Sequence, residues 1–266
     1  MKYQFGFIGC GNMGGALVGA AAKSVEPCRI AVCDHNEEKT DALVKKFGVQ
    51  KEEIATVAAE SKFVVLGVKP QGMEKTLAEI KEVLQGRKDV VLITMAAGLG
   101  AEAIAKMAGG AFPVIRMMPN TPCLLGEGLI LYACLRVGEA EKKEFVSAFQ
   151  AAGRLDELDE KDIDGAGALS GCGPAFVYAF ADALAAGAAE LGIPSEKAVE
   201  YAAQTCLGAA KMMLETGKTP STLCREVCSP GGTTLAGIAA LKEGNFENVT
   251  KSAVLAAYKR TLELKK

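Results

Sequence analysis

A few residues into the chain, Gly9-Cys10-Gly11-Asn12-Met13-Gly14 spaces its glycines as G-x-G-x-x-G. Ahead of it runs Tyr3-Gln4-Phe5-Gly6-Phe7-Ile8, short, apolar and of β character. Behind it runs Ala16-Leu17-Val18-Gly19-Ala20-Ala21-Ala22, which suits a helix. The first glycine permits a tight turn and the second lets backbone approach a pyrophosphate. The third lets helix pack on strand, with the phosphates over the helix N-terminus. With 30 glycines in 266 residues such a match arises easily, and its place between strand and helix is what gives it weight. A second β stretch, Arg29-Ile30-Ala31-Val32-Cys33, then runs into Asp34, about twenty residues past Gly14, where an acid meets the ribose hydroxyls of a dinucleotide. The alternative is a glycine-rich turn in an α/β protein without a nucleotide. Strand, helix and acid together favour the dinucleotide.

The pattern continues. A helix is expected over residues 37–47, then a connection of small and charged residues. Phe63-Val64-Val65-Leu66-Gly67-Val68 is continuously apolar, as a strand covered on both faces should be, and Lys69-Pro70 stops it. A charged helix over 73–84, a buried strand over 90–94, a helix over 99–107 and a strand over 114–118 follow. One more strand over 128–135 and a helix over 139–152 complete the series. Strands alternating with helices to about residue 155 describe an α/β fold, a Rossmann-type doubly wound parallel sheet. Past Asp164 the β-branched runs cease and Ala, Gly and Leu recur at helical spacing. Helices are expected over 174–191, 195–216, 233–243 and 246–262. Stripes of small apolar residues that wide call for more partner surface than one small bundle supplies. The division expected is a dinucleotide-binding domain over 1–160 and an all-helical substrate-binding and dimerisation domain over 161–266. A self-contained helical cap is the alternative for the second.

Composition narrows the function. The net charge is −2 with mixed signs, which leaves no electrostatic footprint for nucleic acid and no basic amphipathic run for a membrane surface. No apolar stretch is expected to reach bilayer-spanning length, because Asp182 and Glu190 interrupt the Ala/Gly-rich runs. The N-terminus is expected to enter its first strand directly, with no signal peptide. Nine cysteines without a C-x-x-C spacing and a single histidine, His35, argue against a zinc site and for reduced thiols in a cytoplasmic protein. With no second histidine, a cysteine–histidine nucleophile fails, and the chemistry must run without histidine acid–base work. The charged run Asp156, Glu157, Asp159 and Glu160 reads as a solvated linker.

Three polar stretches stand out from the alanine-rich background: Arg116-Met117-Met118-Pro119-Asn120-Thr121-Pro122, Ser170-Gly171-Cys172-Gly173-Pro174-Ala175 and Ser229-Pro230-Gly231-Gly232-Thr233-Thr234. The first follows a predicted parallel strand, where open α/β sheets place ligands. The second and third enter helices. In the third, two glycines free the backbone, and hydroxyls and N–H groups converge at a positive helix end, a cup for a small carboxylate. Each alone could be a helix cap with a proline turn; beside a dinucleotide fingerprint, three such stretches favour function.

These residues resemble the pyrroline-5-carboxylate reductase family. The likeness runs through the Gly9 fingerprint, Val68-Lys69-Pro70-Gln71, Met95-Ala96-Ala97-Gly98, the Arg116 and Ser170 stretches and Ser229 to Leu241, in order along the whole chain. The resemblance implies reduction of 1-pyrroline-5-carboxylate to L-proline with NAD(P)H. It implies cofactor binding at Gly9, Gly11, Asn12, Met13, Gly14, Asp34, His35, Val68, Lys69, Pro70, Ala97, Gly98 and Asn120. It implies that Ser229, Gly231, Gly232 and Thr233 hold the substrate carboxylate and that the Thr234 hydroxyl meets the ring nitrogen. It further implies a homodimer with interlocked helical domains, the substrate loop coming from the partner subunit, and assembly of those dimers. A cyclic imine arrives largely as an iminium, already electrophilic, so the missing histidine is no obstacle. Many members of the family carry a small polar residue and then an arginine after the second strand. Here Cys33-Asp34-His35-Asn36 stands there instead, which favours NADH over NADPH. The competing readings are a β-hydroxyacid-dehydrogenase-like or other imine reductase and a non-catalytic dinucleotide sensor. Reducing a ketone, as a β-hydroxyacid dehydrogenase does, needs a proton donor, usually a lysine, and residues 165–191 contain none.

Overall fold

The computed structural model describes residues 1–263, and the chain forms two compact units: residues 1–171 with residues 257–263, and residues 172–256. The first holds a single sheet of eight strands, β1 (Tyr3–Ile8), β2 (Ile30–Cys33), β3 (Gln50–Lys51), β4 (Ser61–Leu66), β5 (Val91–Thr94), β6 (Val114–Met118), β7 (Gly128–Leu135) and β8 (Gly153–Glu157). Their order is β3-β2-β1-β4-β5-β6-β7-β8. The helices of this unit are α1 (Asn12–Ala21), α2 (Glu37–Phe47), α3 (Ile54–Glu60), α4 (Pro70–Gln85), α5 (Ala101–Ala108), α6 (Glu139–Phe149) and α7 (Glu160–Ser170).

The strands are apolar on both faces because each face has its own core. In β4, Phe63 and Val65 join Phe5, Phe7, Leu17 and Phe149 in one cluster, while Val64 and Leu66 join Leu77 and Ile80 in the other. Phe5 stacks on Phe63 at 4.7 Å between ring centroids and meets Phe149 edge-on at 5.4 Å. Local signals set the helix ends. Asn36 accepts from the Glu38 N–H at 3.0 Å to cap α2, and Gly48 ends that helix at φ 73°.

Three expectations are corrected. β1 to β6 run parallel, but β7 runs antiparallel to β6, with Arg116 opposite Ala133. The chain returns from β6 through a short helical turn at Thr121–Leu125 and Gly126 at φ 82°, too little chain for the crossover that a parallel neighbour needs. The solvated linker is not one. Asp156 and Glu157 stand in β8, the edge strand parallel to β7, and Glu160 opens α7. Finally, residues 160–190 are long and apolar enough by composition to cross a bilayer, with mean hydropathy 1.3 in their most apolar window. Two turn residues, Gly171 and Cys172, divide that stretch. The short elements β3, α3 and α7, and a later helix over Pro220–Val227, fall where no element is expected.

The second unit is helical: α8 (Gly173–Glu190), α9 (Ser195–Thr216), α10 (Pro220–Val227), α11 (Thr233–Glu243) and the first part of α12 (Phe246–Glu263). Among the described residues its buried apolar core is Ala185, Ala198 and Ala202, where α8 packs on α9.

Candidate active site

The cleft of the first unit opens at the C-terminal ends of β1 and β4, where the strand order reverses direction. It encloses about 1250 Å³, and its lining brings together Gly9, Gly11, Asn12, Met13, Gly14, Asp34, His35, Val68 and Lys69 from three separate segments. Backbones close at this point. Gly9 sits at φ 96°, its N–H donates to Cys33 O at 2.9 Å, and the Gly67 N–H donates to Ile8 O at 2.7 Å. A Cβ on Gly67 would lie 2.2 Å from Gly9 O, and one on Gly14 2.3 Å from the same oxygen. A Cβ on Gly11 would meet nothing within 4 Å. Gly11 also starts α1 without a side-chain cap, so the first N–H groups of that helix face the open space beside it. The cradle fits the diphosphate of a dinucleotide.

Asp34, at the end of β2, has a side chain 3% exposed. Its oxygens accept from the Cys10 N–H at 2.6 Å and the Asn36 N–H at 2.9 Å, with His35 Nδ1 at 3.1 Å and Lys39 Nζ at 3.9 Å. Burial opposes its charge, but the Asn36 and Cys10 N–H groups, with Lys39 and His35, prevail and hold the carboxyl below its ordinary value. The neighbouring thiols are different. Burial pushes Cys10 and Cys33 up to about 12, so both stay protonated at neutral pH. All nine cysteines are free, and among the described residues no cluster of three or more His, Cys, Asp or Glu is arranged to hold a metal.

Pro70, Ala97, Gly98 and Asn120 lie outside the lining of this cleft. Pro70 opens α4 just past Lys69. Ala97 and Gly98, the latter at φ 80°, form the loop between β5 and α5. The Thr94 hydroxyl accepts from the Ala96 N–H at 3.2 Å at the start of that loop. Asn120 joins two of the polar stretches. Its Nδ2 donates to Ser170 O at 3.0 Å, and its Oδ1 accepts from the Leu129 N–H at 2.9 Å.

Ser229, Gly231, Gly232, Thr233 and Thr234 belong to the second unit. Gly231 takes φ 71° and the Gly232 N–H donates to Ser229 O at 3.0 Å, closing a turn into α11. Gly232 is the N-cap of α11 and no side chain caps that helix, which leaves its first N–H groups available. A Cβ on Gly232 would lie 2.4 Å from Ser229 Oγ. Thr234 stands one residue into α11 at the rim of an apolar groove of about 680 Å³ with Leu184, Ile238 and Phe246. Sequence reasoning missed Gly67, whose signal was its place at the end of the β4 run opposite the fingerprint. It also missed Lys75, Thr76 and Glu79 of α4 on the cleft wall. Those carry no motif.

Comparison with known proteins bears on both units. The family described as "Pyrroline-5-carboxylate reductase dimerisation" matches residues 160–264, and "NADP oxidoreductase coenzyme F420-dependent" matches residues 4–98. The chain is 38% identical to the pyrroline-5-carboxylate reductase of Arabidopsis thaliana, over 99% of this chain and 96% of that one. A solved pyrroline-5-carboxylate reductase from Coxiella burnetii is 34% identical, with TM-score 0.91 and full coverage of both chains. The pyrroline carboxylate reductase of Plasmodium falciparum, solved with NADP bound, is 29% identical, with TM-score 0.89 and full coverage of both.

Proposed function

The chain belongs to the pyrroline-5-carboxylate reductase family, and from that premise we propose how its own residues carry out the reduction of 1-pyrroline-5-carboxylate to L-proline with NAD(P)H. When bound, the reduced nicotinamide supplies a hydride to the imine carbon. Gly9, Gly11, Asn12, Met13 and Gly14 hold the diphosphate on the first turn of α1, with Asp34 and His35 at the adenosine ribose and Val68, Lys69 and Pro70 along the cleft edge. Ala97, Gly98 and Asn120 hold the nicotinamide end. Ser229, Gly231 and the Gly232 and Thr233 N–H groups hold the substrate carboxylate, and the Thr234 hydroxyl orients the ring nitrogen. The iminium carbon is electrophilic before the hydride reaches it, and the nitrogen keeps its proton as the C=N bond becomes a C–N bond. No strong acid is required, so the protein's task is orientation. That agrees with a cleft whose thiols stay protonated.

The observation that carries this assignment of roles is the pair of uncapped helix starts, α1 beside the open Gly11 and α11 beside the Ser229 and Thr234 hydroxyls. Residues 1–160 act as the cofactor domain and residues 161–266 as the substrate and dimerisation domain of a homodimer, with each substrate loop serving the partner subunit's cleft. We place the enzyme in the cytoplasm, where its free thiols stay reduced. NADH is preferred over NADPH. The Asp34 carboxylate can accept from both ribose hydroxyls but meets a 2′-phosphate as a like charge, which Lys39 and His35 offset only in part. A spectrophotometric assay with pyrroline-5-carboxylate and each reduced cofactor tests the reading; no turnover with either, from a folded dimer, would sink it.

A further inference from the structure

Glu160, the first residue of α7, reaches outside its own helix. Glu160 Oε1 accepts from the Ala101 N–H at 2.6 Å, the first helical residue of α5, across 59 positions of sequence. The N-cap of α5 is Gly100, which has no side chain to offer, and no neighbouring side chain of its own segment caps the helix. A distant carboxylate therefore takes the cap position, where a helix start favours negative charge and a charge-assisted bond. The site is shaped for it. A Cβ on Gly100 would stand 3.2 Å from Glu160 Oε1, inside comfortable contact. Arg116 of β6 completes the cluster. Its Nη1 lies 3.7 Å from Glu160 Oε1, and its Nη2 donates to Asp164, one turn further along α7. Arg116 and Asp164 are each 3% exposed, while Glu160 is 37% exposed.

The loop 96–100 is thus fixed at both ends. Thr94 holds its start through Ala96, and Glu160 holds its end through Ala101. Between those anchors stand Ala97 and Gly98. We propose that Glu160 is a positioning residue for the reaction, setting the Ala97–Gly98 loop by capping α5 from α7, with Arg116 holding the carboxylate in place. The proposal rests on the reading that this loop meets the nicotinamide end of the cofactor.

The test compares Glu160→Ala, Glu160→Gln, Gly100→Ala and Gly98→Val in the full-length enzyme. It reads kcat, the KM for reduced cofactor, the KM for pyrroline-5-carboxylate and the melting temperature. Glu160 is partly exposed and Arg116 keeps Asp164, so the Glu160 variants strand no buried charge. Glu160→Ala is expected to raise the cofactor KM or lower kcat about tenfold, below the roughly hundredfold that a misplacement near 1 Å can cost. The KM for pyrroline-5-carboxylate should barely move. Glu160→Gln, which keeps an acceptor for the Ala101 N–H, should recover most of the loss, and Gly100→Ala should reproduce part of it by crowding the carboxylate. A lower melting temperature with kinetics unchanged in Glu160→Ala would make Glu160 a structural cap and overturn the proposal. If Gly98→Val alters cofactor kinetics and Glu160→Ala does not, the proposal fails while the loop's assignment stands. If Gly98→Val leaves cofactor kinetics untouched, the loop's assignment fails and takes the proposal with it.

Discussion

The two units spend their apolar surface in opposite ways. The first covers both faces of its sheet, and Phe5, Phe7, Phe63, Phe145, Phe149, Leu77 and Ile80 are completely buried. Each such side chain contributes about 1.5–3 kcal/mol on burial, so this unit carries its own core. The second buries Ala185, Ala198 and Ala202 and leaves Tyr178 63%, Leu207 53%, Leu214 77%, Val249 62% and Leu255 57% exposed. Exposed apolar surface of this kind is the sort that marks interaction sites. In the first unit sequence specifies a core; in the second it specifies an uncovered apolar surface, within the stretch that the dimerisation family model matches.

The largest effect should come from breaking that difference. Introducing Leu207→Glu and Leu255→Glu together places charges on α9 and α12 in apolar surface that dimerisation would bury. If the substrate loop serves a partner's cleft as proposed, the expected product is a monomer by sedimentation with activity reduced about a thousandfold, since unpaired buried charge is costly. Leu125→Glu, at a position 84% exposed in the first unit, should leave assembly intact. An active monomer from the double variant would contradict the dimer. Next come substitutions inside the first unit. Phe149→Ala, which removes a ring packed on Phe5, Phe7 and Phe145, should destabilise by about 3–5 kcal/mol in denaturant unfolding. Asp164→Ala should also destabilise, by up to about as much, because Arg116 would be left with only the partly exposed Glu160 at 3.7 Å.

Thr234→Val sharpens the comparison from the other side, because an exposed residue at the start of α11 should matter to chemistry and not to folding. Losing a hydrogen bond to a charged nitrogen, about 1.5–3 kcal/mol, predicts a one- to two-decade drop in kcat/KM for pyrroline-5-carboxylate. Cofactor KM and melting temperature should hold. The smallest effect is at Asp34. Asp34→Ser should shift the kcat/KM ratio toward NADPH by about tenfold, the scale of relieving one partly offset like-charge contact. Preference for NADPH in the wild type would remove Asp34 as the discriminator. Its folded carboxyl lies below the unfolded value near 3.9. The stability it contributes is therefore full above that value and lost as pH falls through the folded one. Acid unfolding of Asp34→Ser should accordingly be less steep below about pH 4 than that of the wild type.

What was legible in the sequence was what local chemistry dictates. α2, α9 and α11 fall on their expected bounds because Asn36 and Gly48, Pro194 and Ser195, and Gly232 mark ends by their own conformations. β6 and β7 were equally plain as elements, yet β7's direction was not, because apolar runs are the same read either way and only the short return at 121–125 decides it. β8 was hidden by Arg154, Asp156 and Glu157, charges suited to an edge strand. At the site, the glycine turn and Asp34 announced themselves. Glu160 did not, since its partner Ala101 is brought near only by folding.

The three glycines of the fingerprint do not carry the same information. Gly9 and Gly14 are required by the protein's own backbone, since the Gly9 carbonyl leaves no room for a Cβ on Gly14. An apo chain that bound nothing would keep them. Gly11 has empty space in front of it, so nothing within the fold forbids a methyl group there. Two of the glycines are grammar and one is the message: in a chain like this, drift at Gly9 or Gly14 would signal a failing scaffold, whereas drift at Gly11 alone would be the mark of an intact fold that had given up its nucleotide.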